Sequence, residues 1–546
     1  MNKYVIGVDI GTTSTKSVLF DATYKMMPSQ ERSQEYPHLR ESVSAYGTSR
    51  TELNVFARSS FAIEQYSVGY PLDAPTKNAA VQNPDKIFCA VIETVKQVVS
   101  RSKIKPSDIL CLSFSAAMHS LIVVDRLGKP LTPSLTWADS RSASYGDLLK
   151  QEYNGHEIYA RTGTPIHPMS PLVKLMWLRE NYVELWQQAA KFISIKEYVF
   201  WRLFKEYVVD YSIASATGLF NFNSLDWDRE ALSIAGIQAS MLSQLVPTTH
   251  ILRSMQSKYA KEMGIMVNTP VVIGANDGVL SNLGLNAIAP GKVAITMGTS
   301  GAVRTTLKKP QTDPQGRLFC YALTEDYWVV GGAVNNGGIV LRWLKEQLAG
   351  AEANTAKLLQ QDPYDIITAI AKSIPPGSEG LIFHPYLTGE RSPLWDANAR
   401  GSFFGLGLHH NKAHLIRAVL EGVIYNLYSV FQAVEAISGN VKSISAAGGF
   451  ARSPLWCQML ADICDREINI PQSYESSGLG AAILGQYALA EISDLSVFQL
   501  VDSSNSIYKP ITANTNKYQQ ILPIYSRLID SFKNEYQAIA RLQQDL

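Results

Sequence analysis

The chain has 546 residues, of which 46 % are hydrophobic, and carries 49 Lys+Arg against 48 Asp+Glu. At about 150 residues per domain it has room for two to four domains with sizeable cores. A formal net charge of +1 excludes the basic excess that nucleic-acid binding needs, and no apolar run reaches the roughly 20 residues of a membrane span.

In chain order, short β-branched runs alternate with longer amphipathic stretches, which predicts an α/β fold. Strands at 4–10 and 16–21 are joined by Gly11-Thr12-Thr13-Ser14-Thr15. A strand starting so near the first residue predicts no signal peptide. Residues 23–60, rich in Ser, Gln, Glu and Arg without a sustained apolar period, read as a solvated loop or a small accessory insertion. Next come a helix at 85–100, strands at 109–115 and 119–125, and a helix at 171–181. Gly264, Asn268 and Pro270 then break the pattern before a strand at 271–274, which places the domain boundary between 267 and 268. Further helices are predicted at 338–348, 412–438 and 453–464. Over the second of these, Ala413, Ile416, Ala418, Val419, Leu420, Val423 and Leu427 recur at helical spacing. Five cysteines without a CxxC pair predict reduced thiols in a cytoplasm, and neither a zinc site nor a disulfide framework.

The run Asp9-Ile-Gly-Thr-Thr-Ser-Thr-Lys is echoed by Thr296-Met-Gly-Thr-Ser-Gly. Both read as strand, glycine turn and second strand, which predicts a duplicated domain with a cleft between the copies. Each hairpin tip gathers backbone N–H groups and hydroxyls into a nest suited to phosphate oxygens. Lys16 can add charge there, and Asp9 can hold a hydrated Mg²⁺. Turns favour the same residue types, so an ordinary hairpin is the alternative for either copy alone. No GxxxxGK[ST] and no strand-borne GxGxxG occur, which disfavours a Walker-type loop and nicotinamide chemistry. Gly478-Leu-Gly-Ala-Ala-Ile-Leu-Gly has the wrong spacing for the latter and reads as a closely packed helix.

Asp277, in Gly274-Ala-Asn-Asp-Gly278 after the strand at 271–274, sits where α/β folds place catalytic groups. It is the candidate general base for a substrate hydroxyl. The paired glycines Gly448 and Gly449, before a helix start at Ser453 and Pro454, suit a flat ligand with an anionic tail. Trp137-Ala-Asp-Ser-Arg141 and Ala117-Met-His119 offer an indole face, a guanidinium fork and an imidazole for a polyol. Taken one by one, Trp137 also reads as core, Asp139–Arg141 as a local ion pair and His119 as a satisfied buried histidine.

These motifs, with Gly401-Ser-Phe-Phe-Gly405-Leu406 followed by His414-Leu415 and Ala418-Val419-Leu420-Glu421, resemble the FGGY family of carbohydrate kinases from Val5 to about Gln486. The resemblance implies two actin-like (RNase H-like) ATPase domains, 1–267 and 268–546, with the active site between them. It implies that Met118, His119, Trp137, Arg141, Asn276 and Asp277 meet the substrate. ATP would be met by Gly11, Thr12, Thr13, Ser14, Lys16, Gly298, Thr299, Gly338, Arg342, Gly448, Gly449 and Ser453, with Mg²⁺ held through water by Asp9. Ser115-Ala-Ala-Met-His119, Trp137-Ala-Asp-Ser-Arg141 and Thr162-Gly-Thr-Pro-Ile-His-Pro-Met-Ser-Pro171 are similar to the gluconokinases of that family. A sugar acid is the expected substrate, with a neutral ketose or polyol as the alternative and a non-catalytic sugar-binding regulator as a distant one. An acid needs a cation in the cleft, for which Arg141 stands first, with His119 and His167 behind it. The same resemblance allows a homodimer. Residues 23–60 are the departure from the family pattern.

Overall fold

The structure, a computed structural model, describes residues 3–22, 62–471, 475–497 and 506–544. The expected insertion at 23–60 lies outside the described residues.

Alternating apolar residues make a hairpin of the first two strands, Tyr4–Ile10 (β1) and Ser14–Asp21 (β2), paired in register from Tyr4↔Asp21 to Ile10↔Thr15. Ala62–Gly69 (β3) extends it antiparallel, while Ile109–Ala116 (β4) lies parallel to β1 on the other side. Ile251–Leu252 (β5) and Val271–Asn276 (β6) complete a six-stranded sheet of order β5-β6-β4-β1-β2-β3. The second sheet has Lys292–Met297 (β7), Gly301–Leu307 (β8), Phe319–Ala322 (β9), Trp328–Val334 (β10), Ser443–Ala447 (β11), Ile468–Ile470 (β12) and Ser506–Tyr508 (β13). Its order is β9-β10-β8-β7-β11-β12-β13. A hairpin, a third antiparallel strand and two parallel strands thus recur as β3-β2-β1-β4-β6 and β10-β8-β7-β11-β12. The duplication read from the two glycine hairpins is therefore a duplication of topology.

The boundary expected between 267 and 268 is corrected by this pairing. Strand β6 follows that point yet runs parallel to β4 inside the first sheet, and the second sheet begins only at Lys292. Gly264 ends the helix Ser257–Met263 in a left-handed turn and Pro270 precedes β6, so the composition break marks a turn within one domain.

Helix Pro84–Ser102 (α1) starts on Asn83, whose side chain accepts from the N–H groups of Asp85 and Lys86, with Pro84 in the first turn. Its Ile87, Val91, Val95 and Val98 face the first sheet's core. Pro171–Asn181 (α2) and Ile195–Phe204 (α3) are capped by Ser170 and Ser194. The run expected as a strand at 119–125 reduces to Ile122–Val124, because His119 turns the chain with φ of 66°. In the second half, Gly338–Trp343 (α5) continues as a π-turn through Leu348, followed by Lys412–Ser438 (α6) and Pro454–Cys464 (α7). Among the described residues no helix is long and apolar enough to cross a membrane.

Asp277–Gly284 (α4) leads out of the first sheet, and Ser476–Ala488 (α8) returns from the second half to pack on α4, β1 and β4. The small-residue run makes this possible. A Cβ on Gly480 would stand 2.0 Å from the Leu280 carbonyl oxygen, and one on Gly284 would stand 1.9 Å from that of Ser476. Helix Thr512–Gln544 (α9) closes the chain. It is tied to α6 by Glu421, which is fully buried and accepts from Tyr518, Arg417, Ser378 and the Gly377 N–H. The signature residue Glu421 thus holds the second domain together.

Candidate active site

Two adjoining cavities lie where the first strands of both sheets end. One, of about 250 Å³, is lined by Asp9, Asp277, Gly278, Ser281, Gly298 and Gly448, with Ser476 and Ser477 of α8. The other, of about 290 Å³, is lined by residues of both halves, among them Met118, His119, Trp137, Tyr321, Arg391 and Trp395. Asp277, Thr296, Gly298 and Arg304 line both.

The first cavity sets Asp9 and Asp277 beside the glycine turns at Gly298 and Gly448. The Gly11 N–H closes the first hairpin on the Ser14 carbonyl at 3.0 Å, and the Gly298 N–H closes the second on that of Ser300 at 2.9 Å. Trp137 Nε1 donates to Thr12 Oγ1 at 2.9 Å, linking the first hairpin tip to the second cavity. Gly448, with φ of 118°, must be glycine: a Cβ would lie 2.2 Å from the Met297 carbonyl oxygen. Asp9 accepts from Ser115 at 2.6 Å and from Ser477 at 2.8 Å, one hydroxyl on each carboxylate oxygen. Asp9 and Asp277 together offer hard oxygen donors with lone pairs to spare, the one or two carboxylates that Mg²⁺ takes alongside phosphates and water. The donor set fits that ion.

Asp277 is the first residue of α4. Burial, reinforced by the Asp9 charge, raises its carboxyl to about 6, while Arg304 opposes the shift. It is the one carboxylate, among the described residues, that borders both cavities.

The second cavity is held in shape from below. The Lys174 ammonium, fully buried on α2, donates to the carbonyls of His119, Thr136 and Met169 at 2.7, 2.7 and 2.9 Å. His119 Nδ1 lies 2.7 Å from the Ala216 carbonyl. A carbonyl only accepts, so Nδ1 carries the proton and Nε2 keeps its lone pair. Burial and the Lys174 charge push the imidazole down to about 3, so it is neutral near pH 7. His167 is also pushed well down by burial and by Arg391.

Several expected site residues are engaged elsewhere. Arg141 is not in either cavity: its guanidinium grips Asp139 (2.7–3.1 Å) and lies 4.7 Å from the Trp177 ring centroid. The local ion pair is the correct reading, and the expected cation for an acid is misplaced. Asn276 is fully buried, spending its amide on Ser212 and its oxygen on the Val279 N–H as the cap of α4. Lys16 is paired with Glu475 at 2.6 Å. Arg342 is exposed on α5, and Ser453 caps α7 through the Trp456 N–H. Gly338 contributes structure, its N–H donating to the Gly298 carbonyl at 2.7 Å. Met118, His119, Trp137, Asp277, Thr12, Asp9, Gly298, Thr299 and Gly448 do line the cavities.

Arg304, Arg391, Tyr321, Ser281, Ser476 and Ser477 were missed. A signal for Arg304 was present, because an arginine inside the apolar run Gly301–Leu307 is out of place in a strand buried on both faces.

The family model for the FGGY family of carbohydrate kinases, N-terminal domain, matches residues 42–284, and that for its C-terminal domain matches 293–489. A gluconokinase from Bacillus subtilis (strain 168) is 49 % identical over 547 residues, spanning 100 % of this chain and 99 % of that protein. The chain belongs to the FGGY family of carbohydrate kinases. Two solved FGGY relatives come from Lactobacillus acidophilus. Its gluconate kinase has a TM-score of 0.87 at 35 % identity, covering 99 % of this chain and 100 % of that one. Its xylulose kinase has 0.86 at 35 %, covering 98 % and 100 %. This FGGY chain therefore has the two-domain sugar-kinase architecture of the actin-like ATPases, uses ATP, and phosphorylates a carbohydrate. The two family models part between 284 and 293, where the strand pairing also divides the chain.

Proposed function

We propose that the enzyme transfers the γ-phosphoryl group of ATP to the terminal hydroxyl of a sugar acid, making 6-phosphogluconate and ADP from gluconate. Full-length likeness at 49 % to a gluconokinase carries the substrate. The xylulose kinases of Staphylococcus epidermidis (strain RP62A) and Bacillus subtilis reach 28 % and 26 %. The second reading, a neutral ketose, is favoured by the xylulose kinase of equal structural likeness.

In this reading the sugar occupies the cavity of Met118, His119 and Trp137, and the triphosphate tail occupies that of Asp9, Gly298 and Gly448. Asp277 takes the proton from the substrate hydroxyl as its oxygen bonds to the γ-phosphorus, and the bond to the ADP oxygen breaks. His119 Nε2 accepts from a substrate hydroxyl and fixes its orientation. Phosphoryl transfer passes through a loose transition state, so positioning and charge neutralisation dominate. Mg²⁺ held at Asp9 would neutralise phosphate charge. Arg391 lies 4.7 Å from the Trp137 ring centroid across the cleft, a contact between the halves that supports exclusion of water when the cleft is closed. Consumption of ATP and five free cysteines support a cytoplasmic setting.

Coupled ATP turnover with Mg²⁺ tests the substrate. Gluconate should exceed xylulose, ribulose and glycerol in kcat/KM by at least about 10²-fold, well within the roughly 10⁴–10⁵-fold by which a site built for a polar group can reject an analogue lacking it. Equal or better turnover of a neutral sugar refutes the acid reading. Asp9→Asn should raise the Mg²⁺ concentration for half-maximal rate by about 10-fold or more, since one charged oxygen contact is worth roughly 1.5–3 kcal/mol. An unchanged Mg²⁺ titration removes Asp9 from that role.

A further inference from the structure

The sugar cavity contains more positive charge than its own residues balance. Arg304 and Arg391 both line it. Neither guanidinium is ion-paired with a carboxylate among the described residues. Arg304 donates from Nη1 to Thr296 at 3.1 Å, and its Nε is shielded from solvent with no partner. Arg391 is anchored by Nε on Asn335 Oδ1 at 2.7 Å and by Nη2 on the Val334 carbonyl at 3.2 Å, with one face against Trp137. The Tyr321 hydroxyl lines the same cavity, buried and also without a partner. Buried polar atoms are rarely left unpaired, and two orphans on one cavity point to a ligand that completes them.

The surrounding carboxylates offset part of this charge without forming an ion pair with either guanidinium. Glu390, next to Arg391, is buried and fully occupied by the N–H groups of Asn335 and Arg391 and the amides of Asn336 and Asn426. Those bonds hold the Arg391 loop in place. His119 and His167 are neutral, and Lys174 adds positive charge. Asp277 faces both guanidiniums, which repel each other, and Glu390 faces Arg391 as well, but neither carboxylate bonds to either guanidinium.

We propose that Arg304 and Arg391 form the acid-recognition site, receiving the substrate carboxylate between them with the Tyr321 hydroxyl as a further donor. This rests on the sugar-acid reading above and replaces Arg141 in it. A carboxylate accepts bidentately from planar guanidinium groups and relieves their mutual repulsion, whereas a neutral hydroxymethyl group in the same place leaves both charges uncompensated. Selectivity for the acid then comes from the second half of the chain, although the hydroxyls are read mainly by the first.

The test uses the full-length enzyme and compares gluconate with D-glucitol, which carries CH₂OH in place of the carboxylate. Glucitol is assayed as a substrate, or as a competitive inhibitor where turnover is too slow. Arg304→Gln and Arg391→Gln should each lower kcat/KM for gluconate about 10–100-fold, mainly through KM, the scale of one hydrogen bond to a charged group. Glucitol should change by less than about 3-fold, the factor that about 0.65 kcal/mol amounts to. Gluconate without ATP should raise the melting temperature of the unsubstituted enzyme and fail to do so in either variant. Arg304→Lys and Arg391→Lys keep the charge without the fork and should fall between. Arg141→Gln should leave the gluconate-to-glucitol ratio unchanged.

Equal losses with both ligands would overturn the inference, showing that the guanidiniums serve the transferred phosphoryl group. So would a collapse of the ratio in Arg141→Gln, or an acid preference that survives both Gln substitutions. If the unsubstituted enzyme prefers a neutral sugar, the sugar-acid reading falls, and the acid-recognition site with it.

Discussion

Asp277→Asn should lower kcat about 10²–10⁴-fold, the usual contribution of a positioned general base. The carboxylate borders both cavities, so it can reach the hydroxyl of one and the phosphoryl group of the other. Its pKa, raised to about 6 by burial and by Asp9, sets a pH dependence with a definite sign. A base works deprotonated, so kcat/KM, which reports the free enzyme, should rise with pH through about 6 and level off above it. The variant should lack that limb. Stability should move the other way. A carboxyl with a raised folded pKa favours the fold fully below its unfolded value near 3.8, and that advantage is lost as pH rises through about 6. Above that pH the neutral variant should therefore melt no lower than the parent. Near-normal turnover in a folded variant would take the base role away from Asp277; a lowered melting point at pH 8 would mean that the lost rate reflects damage to the fold.

The second large effect is on folding. Lys196 and Asp210 are both buried, joined at 2.7 Å, and the Lys196 ammonium also reaches the Ala275 carbonyl at 3.3 Å. Asp210 in turn accepts from the Ile213 N–H at 2.9 Å. Lys196→Met strands that carboxylate in the interior and should destabilise the protein by about 3–5 kcal/mol, measured by denaturant titration. Lys196→Met with Asp210→Leu should recover much of the loss, because the cost lies in the unpaired charge and not in the absent pair. A single variant as stable as the parent would show that water reaches the site. Ala275 is two residues before the base, so a reduced kcat should accompany the loss of stability.

What the sequence made legible follows from how local each determinant is. Helices 171–181 and 412–438 were readable to the residue because their caps are adjacent: Ser170 with Pro171, and Asn411 with Gly439. The glycine hairpins and Asp277 were readable because tight turns tolerate few residue types. Sheet membership was not. The turn before β6 looks the same whichever sheet receives the strand, and the partner β4 lies far back in the chain. Arg141 misled because an arginine beside Trp137 suits a polyol site, although Asp139, two residues away, already claimed it. Arg304 and Arg391 approach the same cavity from β8 and from the loop after Gly389, and nothing in the one-dimensional pattern relates them. That neither is held in a direct ion pair is visible only once the surrounding residues are assembled.

The return of α8 to the first sheet bears on how the protein is made. Strands β1, β4 and β6 are synthesised by residue 276, but one layer covering them arrives only with residues 476–488. At about 5–20 residues per second, a ribosome leaves that face without its cover for roughly 10–40 s. Val5, Val18, Cys111 and Val272, buried against this layer in the finished protein, are exposed or covered by other contacts during that interval. The yield of the protein in the cell should therefore be sensitive to chaperones that shield apolar surface.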